Sequence, residues 1–433
     1  YRDDLREEKS FGAWLDRFLA IGDVVLLEQR GAATTAQSQT FSIHATLDPA
    51  RADSLGQLPA IMREAVRKAR NATSEAQRAI RFNVAEMARD YHVLRRELNY
   101  ERFNLMGGSF GSQLGLQIIR VEPAAVHRAI FYGIEGSADN IDRPELVAAH
   151  LDRVGKALTS DWQTRWLIGD FRSQLENVLR KIDETPLKGT VTDKDGNEHA
   201  VTVGALDLKL LLWQKEGLKG SRDHIAQVGR LLMALQFGYI QPVLEAKWRM
   251  CELLKSAEGW EWNLSSLLVE AASIPHGTTT PNDDEPDPAK FGPEVVDPLL
   301  YGLPKLLDPP PMDPIFRSPV AADTPVLLIS GGLDGFTPPA YAREVAEHLP
   351  QAHLLYAPLG DHSGWEILES EPGLRDRALA FLSGEADVTS FRDQVELPPL
   401  PVKLVPDWLL LAAAAIPIVV TVIVIRCKAI KAD

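Results

Sequence analysis

The stretch Phe103-Asn-Leu-Met-Gly-Gly-Ser-Phe-Gly111 decides the fold of this chain. An apolar run leads into the pattern G-x-S-x-G, formed by Gly107, Ser109 and Gly111, and an apolar helical pattern follows over residues 112–120. This layout is typical of a nucleophile elbow, a sharp strand-to-helix turn that holds a serine at its apex. The two glycines leave room where a Cβ would collide with the strand or the helix. The stretch therefore predicts that Ser109 acts as a nucleophile.

Around this stretch, apolar runs and helical patterns alternate along the chain. A long helical pattern extends from Ser74 to near Asn99, just before the elbow. Five short apolar runs predict buried strands: 23–27, the run that begins at 103, 126–134, 325–330 and 353–356. This alternation of helices and strands predicts an α/β fold built on a doubly wound, mostly parallel sheet.

Long helical patterns interrupt the alternation from residue 144 to about 310, and this region holds six of the nine tryptophans. Within it, residues 190–203 resemble a hairpin that turns at Asp195-Gly196. The predicted units are therefore a first core part, a mainly helical insertion, a second core part and a Pro-rich linker, over residues 1–135, 136–310, 311–384 and 385–406.

An apolar segment follows the linker. Residues 408–425 contain no charged side chain, and as a helix they would span about 27 Å, close to the thickness of a bilayer core. Trp408 suits the membrane interface. We therefore expect a transmembrane helix over residues 407–426 with a lipid bilayer as its partner, followed by a basic tail over 427–433; a buried helix is the alternative.

The charges beside this segment predict its orientation. Arg426, Lys428 and Lys431 follow it at once, which favours a cytoplasmic tail and an extracytoplasmic body. A tail-anchored protein with a cytosolic body is the alternative, because no signal peptide is visible. Since the chain begins at Tyr1 and not at Met, we expect the numbering to start inside a longer protein that carries any signal peptide.

Composition excludes several classes of protein. The chain has 433 residues and a net charge of −14, and no basic stripe with interleaved aromatics appears, which argues against a nucleic-acid partner. Its two cysteines, Cys251 and Cys427, are far apart and support neither a disulfide framework nor a thiolate metal site. Because no H-E-x-x-H, P-loop or G-x-G-x-x-G motif stands out, we expect no metal and no cofactor.

A serine hydroxyl needs a base that a carboxylate orients, and both are expected on loops after later strands, in the order Ser, Asp, His. Asp334 follows the 325–330 run, and His362 follows the 353–356 run. Asp361 is the rival acid, but an adjacent side chain is poorly directed towards its neighbour's ring. The order and context favour Ser109, Asp334 and His362 as a triad over an idle serine in a glycine-rich turn.

Four motifs resemble one branch of a known superfamily. They are similar to its "D-V-V-x-x-D-Q-R-G" (Asp23–Gly31, with Glu28 for the usual Asp), "G-G-S-Y-G" (Asn104–Gly111), "D-x-x-T-P-P" (Gly331–Pro339) and "G-x-H" (Gly360–Gly364) segments. The chain thus resembles the proline iminopeptidase and tripeptidyl aminopeptidase branch of the α/β-hydrolase serine peptidases over residues 23–382, weakly within the insertion. The resemblance implies that residues 136–310 form a cap over the active site and that the three residues above are its triad.

The resemblance also has a gap. The family's H-G-G-P-G-type oxyanion loop is absent from this chain. The backbone N–H of Phe110 is the expected first oxyanion donor, whereas the second should come from the missing loop. We expect this loop and the first strands to lie upstream of Tyr1; a crippled active site is the alternative.

These observations predict a serine hydrolase that forms an acyl-enzyme, with an aminopeptidase acting near the N-terminus of peptides as the favoured activity. A carboxylesterase and an inactive membrane-tethered binding module are the alternatives, and chemistry with an aspartate nucleophile is disfavoured because the elbow holds serine. The resemblance implies that acidic cap residues hold the substrate's amine. The cap offers several, among which the sequence singles out none: Glu145, Glu176, Glu245 and Glu252. The expected partner is a peptide or small ester substrate.

Overall fold

A computed structural model of the protein describes residues 9–31, 39–74, 80–160, 165, 168–214, 217–257, 259–278, 287, 289–297 and 299–402. The predicted transmembrane helix and basic tail lie outside the described residues. Within the described part of the chain, no helix is long and apolar enough to cross a bilayer.

The described strands alternate with helices, as expected. In chain order, strands β1 to β8 are Thr40–Ile43, Phe103–Ser109, Val126–Ile134, Leu187–Thr192, Glu198–Val203, Trp260–Asn263, Val326–Gly331 and Ala352–Ala357. Helices α1 to α15 are Lys9–Ile21, Leu58–Ala72, Val84–Glu97, Phe110–Val121, Pro144–Leu158, Phe171–Glu184, Ala205–Leu212, Arg222–Gln236, Gln241–Lys255, Leu264–Ser273, Pro293–Val296, Leu303–Leu307, Pro339–Ala346, Gly364–Glu369 and Leu374–Ser383.

The central sheet is parallel, with strand order β2-β3-β7-β8. Neighbouring residues of its strands pack on opposite faces. Ile130 and Leu327 join an apolar cluster with Phe381 of α15, whereas Phe131 and Leu328 join the cluster on the other face, which includes α4. Helices therefore cover both faces, and the predicted doubly wound sheet is confirmed for these four strands.

The predicted strand at 23–27 is wrong. These residues form no strand, and Val25 and Leu26 are 47% and 56% exposed. A strand needs a hydrogen-bonded neighbour, and no described strand pairs with residues 23–27. The segment is tied down by side chains instead, with the Tyr100 hydroxyl donating to Asp23.

The predicted helix from Ser74 is not continuous, because residues 80–83 are not helical and α3 begins at Val84. The side chain of Asn83 accepts a hydrogen bond from the backbone N–H of Glu86 at 2.9 Å, so asparagine caps the helix there. Strand β1 is not among the five strands that apolar runs predict. It pairs antiparallel with β6, more than 200 residues later, and local pattern does not encode such a distant pairing.

The insertion is mainly helical, and β4 and β5 form the predicted hairpin, with Gly196 at φ +86° in its turn. A buried ion pair braces the insertion from within. The Lys247 ammonium lies 2.7 Å from the Asp207 carboxylate, and both side chains are fully buried. The same carboxylate accepts the backbone N–H groups of Asp53 and Leu55, which ties the preceding segment to the insertion.

The Pro-rich segment is not a free spacer over its described part, residues 385–402. Val395 and Leu397 are buried in the apolar cluster of α15. The backbone N–H of Tyr356 donates to the carbonyl of Asp393, and that of Val395 donates to the carbonyl of Tyr356. The prediction of a spacer is therefore wrong here, because apolar side chains just before the prolines pack this segment against the core.

Candidate active site

The elbow is strained, as its motif predicts. Ser109 ends β2 with φ 54° and ψ −128°, a backbone conformation that is costly for a residue with a side chain. A Cβ on Gly107 would lie 2.4 Å from the carbonyl oxygen of Gly111, so the backbones need glycine at 107. A Cβ on Gly111 would meet nothing within 4 Å. The steric prediction therefore holds for Gly107 and is wrong for Gly111.

Helix α4 begins at Phe110, directly after the serine. The first backbone N–H groups of a helix have no partner within it, and together they favour negative charge at the helix N-terminus. The N–H of Phe110 stays the expected first donor to an oxyanion formed beside Ser109. The second donor stays a prediction.

The side chains of Asp334 and His362 are brought together. The Nδ1 atom of His362 lies 2.8 Å from Oδ2 of Asp334. The other carboxylate oxygen accepts the backbone N–H groups of Phe336 and Thr337 at 2.9 and 2.8 Å, and the Thr337 hydroxyl donates to Oδ2 at 2.5 Å. The carboxylate is thus held by four groups, and one of them is the imidazole.

Burial and the pairing of the two side chains have opposite effects on the pKa of Asp334 and on the pKa of His362. Burial alone raises the pKa of Asp334, but the facing His362 and the donated hydrogen bonds outweigh it, so its pKa lies below the usual value. Burial lowers the pKa of His362, yet the Asp334 carboxylate outweighs that effect and the pKa is raised above 6.5. Asp334 is therefore ionised at neutral pH and stabilises a proton on the ring.

The two loops are also bound to each other. The backbone N–H of Leu333 donates to the carbonyl of Gly360 at 2.7 Å. The carboxylate of Asp361 is turned elsewhere, since it accepts the backbone N–H groups of Arg222 at 3.0 Å and Ser363 at 2.8 Å. The geometry therefore favours Asp334 over Asp361 as the partner of His362.

Ser109 and His362 approach the same corner of the sheet. In the register of β2 and β3, Ser109 pairs with Ile134. At Gly133, one residue earlier, an added Cβ would lie 2.7 Å from Cε1 of His362, so the ring packs against the end of β3. No hydrogen bond joins the Ser109 hydroxyl to the ring in the described structure. Such bonds are often long before substrate binds.

A cluster of carboxyl groups, which we call the carboxylate cluster, lies beside the elbow. Its members are Glu135, Asp139, Asp142, Glu270 and Asp297. The backbone N–H of Glu135 donates at 2.9 Å to the Ser112 hydroxyl, which itself donates at 2.6 Å to the carbonyl of Ser109. The side-chain amide of Asn140 donates to both Glu135 (3.2 Å) and Glu270 (2.8 Å). One amide group thus bridges a core carboxylate and a cap carboxylate.

The other end of the cluster extends towards the histidine. Asp297 accepts the backbone N–H of Asp142 at 2.7 Å, and the Lys219 ammonium lies 2.7 Å from the Asp142 carboxylate. That ammonium is 5.4 Å from the ring centroid of Phe336, which lies 5.1 Å from the ring of His362. The cluster therefore borders the same site as the Asp334–His362 pair.

These carboxyl groups are hard to ionise together. Burial raises the pKa of Glu135 well above its usual value, and the charges of Glu270, Asp139 and Asp142 raise it further. Burial, followed by the charge of Asp142, raises the pKa of Asp297 to about 7. Burial also raises the pKa of Asp139, to about 6. The cluster therefore favours bound protons or bound cations.

None of the cap acids named from the sequence belongs to the carboxylate cluster, although Glu145 and Glu176 line the cavity beside it. Glu145 is exposed. The other three pair with basic residues on their own helices: Glu176 with Arg172, Glu245 with Arg249 and Glu252 with Lys255. Of the carboxylate cluster, Glu135 alone had a readable signal, since it directly follows a predicted core strand. The remaining members meet only when the cap folds over the core.

A cavity of about 390 Å³ adjoins the cluster within the insertion. Asp142 and Asp297 line it together with Tyr301, and apolar side chains such as Leu151 and Phe291 form much of its wall. The carboxylate cluster therefore has space beside it for a ligand with both a cationic and an apolar part.

Two family models match the chain. Residues 69–181 match the α/β hydrolase fold, and residues 305–387 match a TAP-like protein. The first match contains Ser109, and the second contains Asp334 and His362. These matches confirm the predicted α/β-hydrolase fold with its parallel sheet. None of the curated proteins matches the chain.

Solved structures that match this chain include a proline iminopeptidase from Mycobacterium smegmatis, which is 15% identical; the match covers 72% of this chain and 74% of that protein, with a TM-score of 0.28. The serine hydrolase CCSP0084 from Cycloclasticus zankles is 12% identical; the match covers 79% of this chain and 88% of that protein, with a TM-score of 0.28. The α/β hydrolase MGS-M2 from a deep-sea metagenome library is 13% identical; the match covers 71% of this chain and 74% of that protein, with a TM-score of 0.29.

Proposed function

We propose that this chain is a member of the α/β-hydrolase superfamily and acts as a serine hydrolase, most suited to releasing residues from the N-terminus of peptides. The observation that carries the proposal is the buried Asp334–His362 pair, 2.8 Å apart, at the sheet corner where the strained elbow presents Ser109. The TAP-like match over residues 305–387 supports the same class of chemistry.

In the proposed reaction, His362 takes the proton of Ser109 as the hydroxyl oxygen attacks the substrate carbonyl. The tetrahedral oxyanion accepts a hydrogen bond from the N–H of Phe110. As the intermediate collapses, the proton on His362 passes to the leaving amine, and an acyl-enzyme remains. A water molecule then gives a proton to His362 and attacks the ester carbonyl, and as the ester bond breaks His362 returns that proton to the Ser109 oxygen, which frees the carboxylic acid product. Asp334 stays ionised and orients the ring throughout.

The carboxylate cluster supports an aminopeptidase over other serine hydrolases. Among the described residues, the cations paired with it are Lys219 and Arg143, against five carboxyl groups. A protonated substrate amine between Glu135 and Glu270 would relieve their mutual repulsion and replace the bridging amide of Asn140. An amine held there would place a substrate's N-terminus next to the elbow, and the nearby carbonyl would then be the one attacked.

Active-site labelling tests the serine hydrolase. A fluorophosphonate probe should label the full-length protein, and Ser109→Ala should remove the label. Ser266→Ala, at an exposed serine of α10, is the matched control and should label normally. An unlabelled full-length protein would support the inactive binding module in place of an enzyme.

Substrate choice tests the aminopeptidase. Glu270→Gln should raise KM for an unblocked aminoacyl-naphthylamide by about 10- to 100-fold, the loss expected for a hydrogen bond to a charged group, while hydrolysis of a short p-nitrophenyl ester is unchanged. Glu252→Gln, on a paired surface acid, is the control. Rapid ester hydrolysis with no cleavage of aminoacyl-naphthylamides would identify a carboxylesterase.

We also propose that the segment 407–426 anchors the protein in a membrane and that the body lies on the extracytoplasmic side. The uncharged run 408–425 and the basic residues after it support this orientation. Protease added to intact cells should digest the body. A body that becomes accessible only after lysis would support the tail-anchored alternative.

A further inference from the structure

Two aromatic side chains stand exposed at one end of the insertion. The turn that follows α8 contains Phe237 and Tyr239, which are 78% and 59% exposed. We call residues 236–240 the aromatic tip. Large aromatic side chains are usually buried in cores or interfaces. Two exposed aromatic rings close together therefore indicate a contact surface.

The backbone of the aromatic tip is well ordered by hydrogen bonds. The N–H of Phe237 donates to the carbonyls of Met233 and Ala234, and the N–H of Tyr239 donates to that of Ala234 at 2.8 Å. Gly238 has φ +79°, the left-handed conformation that ends helices. The helix end therefore holds both rings outwards, and their exposure is part of the fold.

Apolar surface continues beside the tip. An open groove of about 540 Å³ lies between α6 and α8. Its wall includes Val178, Ile182, Leu187 and Leu235. Charged side chains near this end carry both signs, for example exposed Lys181 and Glu184. The surface therefore offers apolar contact without a net charge that would select an anionic or a cationic partner.

The chain that leads to the apolar segment runs towards this tip. Arg222 near the start of α8 donates to the carbonyl of Pro398, and Arg230, two turns later, donates to that of Pro401. The linker thus follows α8 in the direction of the tip. Phe237 lies about 10 Å beyond Arg230 along the helix, and the six residues from Val402 to Trp408 can span about 20 Å.

We propose that the aromatic tip docks on the surface of the lipid bilayer in which the segment 407–426 is anchored. The proposal rests on the membrane anchoring proposed above and is independent of the hydrolase chemistry. Phe237 and Tyr239 sit at the level of the headgroups, where aromatic rings are favoured, and hold the cap side of the body against the membrane. The anchor and the tip then form two adjacent contacts that restrict the orientation of the body.

Fluorescence of a site-specific label tests the contact. The full chain with Cys427→Ser is placed in phosphatidylcholine vesicles, and an NBD dye is attached at Phe237→Cys or Tyr239→Cys. Cys251 is buried, and burial raises the pKa of its thiol to about 11, so it should not react. Ile315→Cys, at an apolar residue 49% exposed on another part of the body, is the matched control.

The fluorescence emission of the dye at either tip position should shift to shorter wavelength on vesicle binding and should be quenched by nitroxide lipids. The emission of the dye at position 315 should show neither change. Tip labels that behave like the label at 315 on vesicle-bound protein would overturn the proposal, and so would a full chain that does not float with vesicles. Fluorophosphonate labelling of the same samples reports the hydrolase separately, so failure of one proposal is distinguishable from failure of the other.

Discussion

Single residues set the geometry of the candidate site. Ser109 adopts a positive φ because the chain must turn from β2 into α4 within one residue. The surrounding packing stabilises this strained backbone conformation. Gly107 is where the backbones of strand and helix come closest, at a point that leaves no space for a Cβ. Asp334 is buried, and its four donated contacts keep it ionised in that position.

The pH dependence of activity follows from the Asp334–His362 pair. His362 must be neutral to accept a proton, and its pKa is raised above 6.5, so kcat/KM should fall as the pH falls through a value above 6.5. Asp334→Asn removes the charge that raises this pKa, so the acid limb should move to lower pH while activity drops by about 10⁴-fold. A pH–rate profile measures both effects. An unshifted limb in an active Asp334→Asn variant would contradict the pairing.

The two outer glycines of the elbow should respond differently to alanine. Gly107→Ala forces a Cβ against the carbonyl of Gly111 and should lower the free energy of unfolding by about 1–3 kcal/mol, with loss of labelling at Ser109. Gly111→Ala meets no atom within 4 Å and lies in α4, so it should be neutral or slightly stabilising. Urea unfolding compares them, and equal losses would refute the steric argument.

At the scale of elements, packing across long sequence distances holds the insertion together. The short 3₁₀ helix Ser54–Gln57 with Asp53 at its N-cap, the start of α7 and the middle of α9 meet at the Asp207–Lys247 pair. The Lys247 ammonium also donates to the carbonyl of Arg51 at 2.7 Å. Since the charged groups are fully buried, each depends on its partners for the solvation that water no longer supplies.

Breaking this pair from one side should be costly. Lys247→Met leaves the Asp207 carboxylate buried without its cation and should lower the free energy of unfolding by about 3–5 kcal/mol. The control is Lys255→Met on the same helix, where the pair with Glu252 is exposed and the expected change is about 0–1 kcal/mol. Thermal or urea unfolding checks the difference; similar changes in both variants would show that the buried pair has no special role.

At the scale of the whole molecule, the segment 385–402 belongs to the body. Its apolar residues are buried against the second face of the sheet, beside α15 and β8. It then follows α8 of the insertion, so it contacts both core and cap. A chain that ends at 402 should therefore fold like the full body. A chain that ends at 384 should not.

These two truncations are the test at this scale. Removal of residues 385–402 deletes the buried side chains of Phe391, Val395, Leu397 and Leu400 and uncovers the core side chains that they pack against, and burial of each such side chain contributes about 1.5–3 kcal/mol. The chain ending at 384 should therefore unfold at much lower urea concentration than the chain ending at 402, or fail to fold. Equal midpoints would show that the segment is the free spacer that its proline content indicates.

The local sequence pattern was sufficient to predict the four strands of the central sheet and the loops that follow them. Strand β7 is buried along its whole length and β2, β3 and β8 are buried in part, and each contains a short apolar run that can be read without knowing its neighbours. The parallel order then places Ser109, Asp334 and His362 at the same edge, because all carboxyl ends of a parallel sheet lie together. By itself, the sequence thus determined the fold and the three residues of the proposed triad.

Only the tertiary structure decided which contacts form between distant segments. The run at 23–27 is as apolar as the true strands, but hydrogen-bonded pairing and not composition makes a strand, and it has no described partner. Glu270 has no signal in the sequence and Glu135 has only its place after a predicted strand, and the two become a candidate site because one amide bridges them across core and cap. Burial and like charge, which define the carboxylate cluster, exist only after those segments meet.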